Sequence, residues 1–302
     1  MRLLNLLCAT VVLCAVVTGV MAVWAAQHPT QLPSDIWASE SPRNAEIVRE
    51  DRAIQWNDES GYWVASDYTS QYMNVIDGER LTLGAPRNAT HSVYLFGNSE
   101  IFGQYVDDSG TIASALQALL PQYRVRNLGM TGRTLDNELF RLKATDVKPG
   151  DIVVFVDGFM EIDSVYADAK WGGRNELVCD NFQSLAVIQW LCDPQSAPPA
   201  LFDPTWITNH VTAELAHSNS LIDAARQFTT ARGASFYHFL QPIDLTSPTM
   251  YPGFDRVCAV AWSQMDGIPL LLNSKYFDDF AHTDEAGNQA IASFVYDQIM
   301  KR

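Results

Sequence analysis

Positive charge is scarce in this 302-residue chain: 20 Lys and Arg face 35 Asp and Glu, for a net charge of −15. No local run of Lys and Arg offsets the deficit. Nucleic acid and anionic lipid head groups are bound mainly through basic side chains, so neither is expected as a main partner. Cysteine is also sparse, with five in all. The chain has no Cys-x-x-Cys pair and no Cys/His spacing of the zinc-binding kind, so no metal and no other cofactor is expected. Internal repeats and low-complexity tracts are missing too, which argues against a solenoid. What remains is a hydrophobic content of 47%, ordinary for a globular protein, on a chain long enough for one large domain.

Charge is absent altogether from Leu3 to Trp24. This stretch is about as long as the roughly 20 apolar residues that span a bilayer. Residues 1–25 therefore read as a cleaved signal peptide, with Val23-Trp24-Ala25 as the cleavage site, or as an uncleaved membrane anchor. Both readings export the remainder to the periplasm or beyond, free or anchored, with membrane contact through this segment if it stays uncleaved. Cys8 and Cys14 lie inside the run, leaving Cys179, Cys192 and Cys258 in the exported part. Cys179 and Cys192 are the first choice for a bridge, and three buried thiols are the alternative. Residues 26–53 are polar and carry Pro29, Pro33 and Pro42, which predicts a linker to a domain over 54–302.

Within that domain, Ile54 to Pro86 reads as loops with a short edge strand. Strand and helix patterns then alternate. Strands are expected at Ser92–Phe96, Tyr123–Leu128, Ile152–Val156 and Ser235–Leu240. Helices are expected at Thr111–Leu120, Leu135–Ala144 and Thr205–Thr230, with a last one starting near Thr283-Asp284-Glu285. This alternation predicts an α/β fold with a parallel sheet between helical layers. Residues 160–204 interrupt the pattern with Trp171, Gly172-Gly173 and Pro198-Pro199, and read as a lid-like insertion.

The first strand stops at Gly97-Asn98-Ser99. A serine on such a strand-to-helix turn stands at the carboxyl edge of the sheet, where open α/β folds place their ligands. A neutral serine needs a base within hydrogen-bond reach, and the base needs a carboxylate to orient it. Asp279-Phe280-Ala281-His282 can supply both from one loop before the last helix. Ser99, His282 and Asp279 are thus the candidate nucleophile, base and orienter. The N–H groups of Ser99 and Gly129 are candidate donors to an oxyanion, and Gly158 ends a strand at the same edge. Taken singly, Gly-x-Ser is a common turn, Asp-x-x-His is a common cap and Asn127-Leu128-Gly129 is a common turn. The fuller Gly-x-Ser-x-Gly elbow is not formed, since position 101 is Ile.

Together these pieces resemble the SGNH hydrolase superfamily, the GDSL-type esterases and acyltransferases, and in particular its exported bacterial members. Phe96-Gly97-Asn98-Ser99 matches the nucleophile block, Asn127-Leu128-Gly129 the second block and Asp279-Phe280-Ala281-His282 the last. Gly78-Glu79-Arg80 and Phe239-Leu240-Gln241-Pro242 are similar to features of exported members. The resemblance implies a three-layer α/β/α sandwich with a flavodoxin-like parallel sheet and a Ser99–His282–Asp279 triad. The reaction would be hydrolysis of an ester, with an O-acylated envelope glycan as the substrate expected. Transfer of the acyl group to a sugar hydroxyl would use the same residues. One block departs: Gly158-Phe159-Met160-Glu161 puts Met160 where the family has an Asn that donates to the oxyanion. Asn98 and Gln241 are the candidates to replace it. A third reading follows from the same departure: a non-catalytic protein that binds glycan or a partner in the cleft.

Overall fold

The computed structural model describes residues 33–58, 62–171, 203–248 and 250–301. The amino-terminal apolar run, Cys179, Cys192 and most of the expected lid lie outside these residues. Among the described residues no helix is long and apolar enough to cross a membrane.

The chain opens with α1 (Pro33–Glu40) and α2 (Pro42–Ala53). This corrects the linker expected here. Pro42 stands at the first turn of α2, where its missing N–H is harmless, and the Ser41 hydroxyl caps the helix by accepting from Asn44 N–H. Trp37, Ile47 and Val48 are buried in a cluster with Ile54, Met73, Phe102 and Tyr105, so the pair packs onto the domain. Next come β1 (Trp56–Asp58) and β2 (Trp63–Ala65), a separate antiparallel pair, and then β3 (Tyr68–Thr69), β4 (Asn74–Ile76) and β5 (Glu79–Arg80).

The α/β alternation follows: β6 (Ser92–Gly97), α3 (Ser99–Phe102), α4 (Ile112–Leu119), β7 (Arg124–Asn127), α5 (Leu135–Ala144), β8 (Ile152–Asp157) and α6 (Phe159–Trp171). The chain closes with α7 (Pro204–Thr230), β9 (Ser235–Leu240), α8 (Phe254–Ala261), β10 (Ile268–Pro269), a 3-10 turn at Ser274–Tyr276 and α9 (Glu285–Met300). The eight-stranded sheet has the order β10-β9-β8-β6-β7-β5-β4-β3. From β7 to β10 the pairing is parallel. Read from β7, with β6 as first strand, this is the flavodoxin-like order 2-1-3-4-5. Beyond β7 the strands β5, β4 and β3 are added antiparallel, so the expected parallel central sheet is extended by an antiparallel edge where one short strand was expected. The start of the expected insertion is also corrected. Phe159, Ile162, Val165 and Tyr166 of α6 are buried with Ile207 and Val211 of α7, which makes α6 part of the sandwich.

Alternation along the strands sorts the core into layers. Val93 and Leu95 of β6 and Val154 and Val156 of β8 face α4 and α9, against Leu116, Ile291 and Val295. Tyr94, Phe96, Val153 and Phe155 face the other way, against Leu139 and Leu142 of α5 and Ile222 of α7. Each such buried Val, Leu, Ile or Phe contributes about 1.5–3 kcal/mol. The continuous apolar runs of β6 and β8 are thus those of strands covered on both faces. The turn after β6 lies at the switch in strand order between β6 and β8, and it carries Ser99.

Candidate active site

The turn begins where β6 ends at Gly97. Asn98 caps α3, its Oδ1 accepting from Glu100 N–H at 3.1 Å. Ser99 is the first residue of α3, so its own N–H has no acceptor within the helix. Arg80 fastens the far end of this helix. Its buried guanidinium donates to Asp108 Oδ1 at 2.7 Å and to the Val106 carbonyl at 3.0 Å, and stacks over the Phe102 ring at 5.3 Å. Asn127 holds the same helix from β7, donating from Nδ2 to the Ile101 carbonyl at 2.7 Å.

The candidate base comes from the loop before α9. Phe280 and Ala281, between Asp279 and His282, are buried. The Phe280 ring lies 4.9 Å from that of Tyr251 and 5.7 Å from that of Phe159, which pins the loop to the sandwich. Asp279 Oδ1 accepts from the Ala281 and His282 N–H groups at 2.7 and 2.8 Å. Its Oδ2 lies 2.8 Å from His282 Nδ1. One carboxylate therefore both closes the turn and orients the ring. The other ring nitrogen, Nε2, lies 2.8 Å from Ser99 Oγ. The structure thus brings Ser99, His282 and Asp279 together across 183 residues of sequence, with Ser99 still 7% exposed.

The electrostatics follow from these contacts. Burial disfavours the charged imidazolium, but Asp279 by charge and hydrogen bond, then Glu100 and Asp51, outweigh it and raise His282 above its ordinary value. Burial likewise opposes ionisation of Asp279, and the His282 ring with two backbone N–H bonds brings it below the usual carboxylate range. Asp279 is thus the anionic partner and His282 the proton acceptor.

The expected oxyanion donors fare differently. Gly129 does not offer a free N–H, because that group donates to Asn127 Oδ1 at 3.0 Å. Its role is close approach: a Cβ here would sit 2.2 Å from Phe102 N. Asn98 and Gln241 are buried and engaged with each other, Asn98 Nδ2 donating to Gln241 Oε1 at 2.8 Å and Gln241 Nε2 to the Ala281 carbonyl at 2.7 Å. They join the nucleophile turn to the histidine loop. Gly158, at φ +105°, turns the chain from β8 into α6, and Met160 packs against the apolar cluster of that helix. Among the expected donors, the Ser99 N–H, at the first position of α3, is placed to serve an oxyanion.

Four neighbours of the triad escaped the sequence reading as parts of the site. The Trp37 ring lies tilted against that of Tyr105 at 5.3 Å, and Tyr105 meets the His282 ring edge-on at 5.0 Å. Tyr105 does so from a left-handed backbone, at φ +68°, a conformation that non-glycine residues keep only when their surroundings enforce it. Glu100 and Arg80 complete the set. Glu100 stands next to Ser99, and that adjacency was the only signal for it.

Solved structures of G-D-S-L lipolytic proteins are similar to this chain. One, from Veillonella parvula, is 12% identical, matches over 70% of this chain and 100% of its own, and has a TM-score of 0.42. Est24, a carbohydrate acetylesterase from Sinorhizobium meliloti, is 14% identical over 70% of this chain and 98% of its own, with a TM-score of 0.40. A possible lipase from Chitinophaga pinensis is 13% identical over 70% and 98%, with a TM-score of 0.37. No family model and no curated protein matches. At such low identity these likenesses carry no residue roles to this chain, and the reading of the site rests on its own geometry.

Proposed function

We propose that this protein is an exported serine esterase of the SGNH type, acting on an O-acylated envelope glycan. The observation that carries the reading is the relay from Ser99 Oγ to His282 Nε2 and from His282 Nδ1 to Asp279 Oδ2, each step at 2.8 Å. Such an arrangement serves nucleophilic catalysis and has no use in a purely structural turn. Ser99 Oγ attacks the ester carbonyl while His282 Nε2 takes its proton. Asp279 stabilises the imidazolium. The oxyanion of the tetrahedral intermediate lies toward the Ser99 N–H. Collapse expels the alcohol, which takes the proton from His282 and leaves an acyl-serine. Water then attacks, giving its proton to His282, and the second collapse returns that proton to Ser99 and releases the acid. A sugar hydroxyl in place of water would make the same site an acyltransferase. Export and the glycan substrate follow from the apolar amino terminus and the resemblance of the motifs.

A non-catalytic glycan- or partner-binding role is the second reading, favoured by Met160 and by the engaged Gly129 N–H. Losing one oxyanion donor typically lowers turnover about 100- to 1,000-fold, so the first reading expects a slow enzyme. A fluorophosphonate probe separates the two. Labelling of the wild-type chain that is lost in Ser99→Ala, together with cleavage of short-chain aryl esters, supports catalysis. A wild-type chain that neither labels nor cleaves sinks the esterase and leaves binding.

A further inference from the structure

Glu100 is a buried carboxyl group next to the nucleophile, and the mechanism above has no use for its charge. Its side chain crosses from α3 to the residue after His282. Glu100 Oε2 accepts from Thr283 N–H at 3.2 Å, and Glu100 Oε1 is in hydrogen-bond contact with Thr283 Oγ1. Ser99 and His282 are thus each one residue from the two ends of the same bridge.

The protons along this chain can be counted. Asn288 Nδ2 donates to the Gly110 carbonyl at 2.9 Å, which fixes that amide and turns its Oδ1 toward Thr283 Oγ1, 2.7 Å away. The Thr283 hydroxyl therefore lies between two oxygens, Asn288 Oδ1 and Glu100 Oε1, and it owns one proton. Asn288 Oδ1 has none to give, and the one hydroxyl proton serves only one of the two oxygens. Both contacts are hydrogen bonds only if Glu100 brings its own proton and donates it to Thr283 Oγ1.

We propose that Glu100 is a positioning residue that works as a neutral acid, holding the Thr283 backbone, and with it the His282 ring, in line with Ser99. The proposal rests on the esterase reading of the site. The surroundings favour it. Burial is the largest influence on Glu100 and raises it to about 7, against the His282 charge and the Thr283 N–H, with Asp279 adding to the rise. The ionisable groups acting on it are the His282 ring and Asp279, while Asp51 of α2 also acts on the ring. At the start of α9, Asp284 is engaged with Gly287 N–H and Glu285 with Arg43. The neutral form also spares the base. An ionised Glu100 adds a second negative charge beside the imidazole and keeps it protonated to higher pH, where it cannot accept a proton from Ser99.

Glu100→Gln and Glu100→Ala in the full chain test this. A glutamine presents the same pattern as the acid, an acceptor to Thr283 N–H and a donor to Thr283 Oγ1. Glu100→Gln is expected to keep both the wild-type kcat and the acid limb of the wild-type kcat/KM profile, because it replaces one neutral side chain by another. Glu100→Ala is expected to lose about 100-fold in kcat with little change in KM, as for a base displaced by about 1 Å, and its thermal melt shows whether it folds. Titrating the His282 ring by NMR in the wild type and Glu100→Gln reads the same charge without any turnover. A ring titration that moves to lower pH in Glu100→Gln, which would reveal an ionised Glu100 in the wild type, or a glutamine variant as impaired as the alanine one, overturns the proposal. If the wild type neither labels nor cleaves, the esterase reading fails separately, and the ring titration still decides the state of Glu100.

Discussion

Two Asp–His pairs lie at the carboxyl edge of the same sheet. In one, Asp279 Oδ2 lies 2.8 Å from His282 Nδ1. In the other, Asp157 Oδ1, at the end of β8, lies 2.8 Å from His238 Nε2 in β9. They differ in where the second ring nitrogen points. In His282 it faces the Ser99 hydroxyl, a group that can lose a proton, at a side chain 13% exposed. In His238 it faces the carbonyl of Asp266, which can only accept, and the side chain is 2% exposed. The first pair can take up a proton and return it. The second is closed, with both nitrogens fixed to acceptors.

The carboxylates around the pairs differ in the same way. Asp279 accepts three hydrogen bonds and is stabilised as an anion. Around Asp157 stand Glu138 and Glu161, both buried, with Glu138 in side-chain hydrogen-bond contact with Asp157 and one Glu161 oxygen lacking a partner. Burial, then the charges of Asp157 and Glu161, hold Glu138 well above the carboxylate range. Burial and Asp157 raise Glu161 to about 7. The lesson is that an Asp–His pair is common chemistry, and the exit from it decides whether it serves reaction or folding.

The largest expected effects fall on the open pair. Ser99→Ala should remove fluorophosphonate labelling and lower ester turnover by about a million-fold, the scale seen when a triad nucleophile is lost. Asp279→Asn should keep the fold and lower turnover by about 10,000-fold, because the wrong tautomer faces Ser99. The closed pair should respond in the opposite currency. His238→Ala breaks a buried ion pair and should destabilise the domain by about 3–5 kcal/mol in denaturant melts, with the Ser99 labelling rate of the folded protein unchanged. Loss of labelling there would collapse the distinction between the pairs.

The smallest effect is a pH slope. Glu138, Glu161 and His238 all have folded-state values raised above the unfolded ones. Burial opposes the charge on His238, and Asp157 outweighs it. A raised group stabilises fully below its unfolded value and loses that contribution as pH rises through its folded value. Thermal stability should therefore decline from about pH 4.5 through and beyond the value of about 7 for Glu161. Glu138→Gln should flatten that decline. Activity should run the other way, falling as pH drops below the raised value of His282, since the base must be neutral to act. A sloped melt and an oppositely sloped rate profile would together sharpen the comparison.

How legible the site was depended on the range of its interactions. Ser99 could be read because a buried run ends at Gly97 and a helix follows. Asp279 and His282 could be read because one carboxylate serving a turn and a ring is a local pattern of four residues. The closed pair was not legible, since Asp157 and His238 are 81 residues apart and meet only because β8 and β9 are neighbours. Glu100 meets Thr283 across 183 residues and left no trace in composition or period. The helices over 33–53 were missed although Ser41-Pro42 is a helix-start signal, because the polar composition masked it. Strands β3 and β5 are two residues each, too short to show a period.

What the sequence determined by itself was the alternation of buried strands and amphipathic helices, and with it the layered fold and the edge on which Ser99 stands. These are local consequences of side-chain period and turn chemistry, and each was legible within about ten residues. Only the tertiary structure decided which donors remain free. It tied Asn98 to Gln241 across 143 residues. It aimed one histidine at a hydroxyl and the other at a carbonyl. A hydrogen-bond donor can be satisfied by any acceptor that the packing brings within about 3 Å, and which one arrives is a property of the whole sheet.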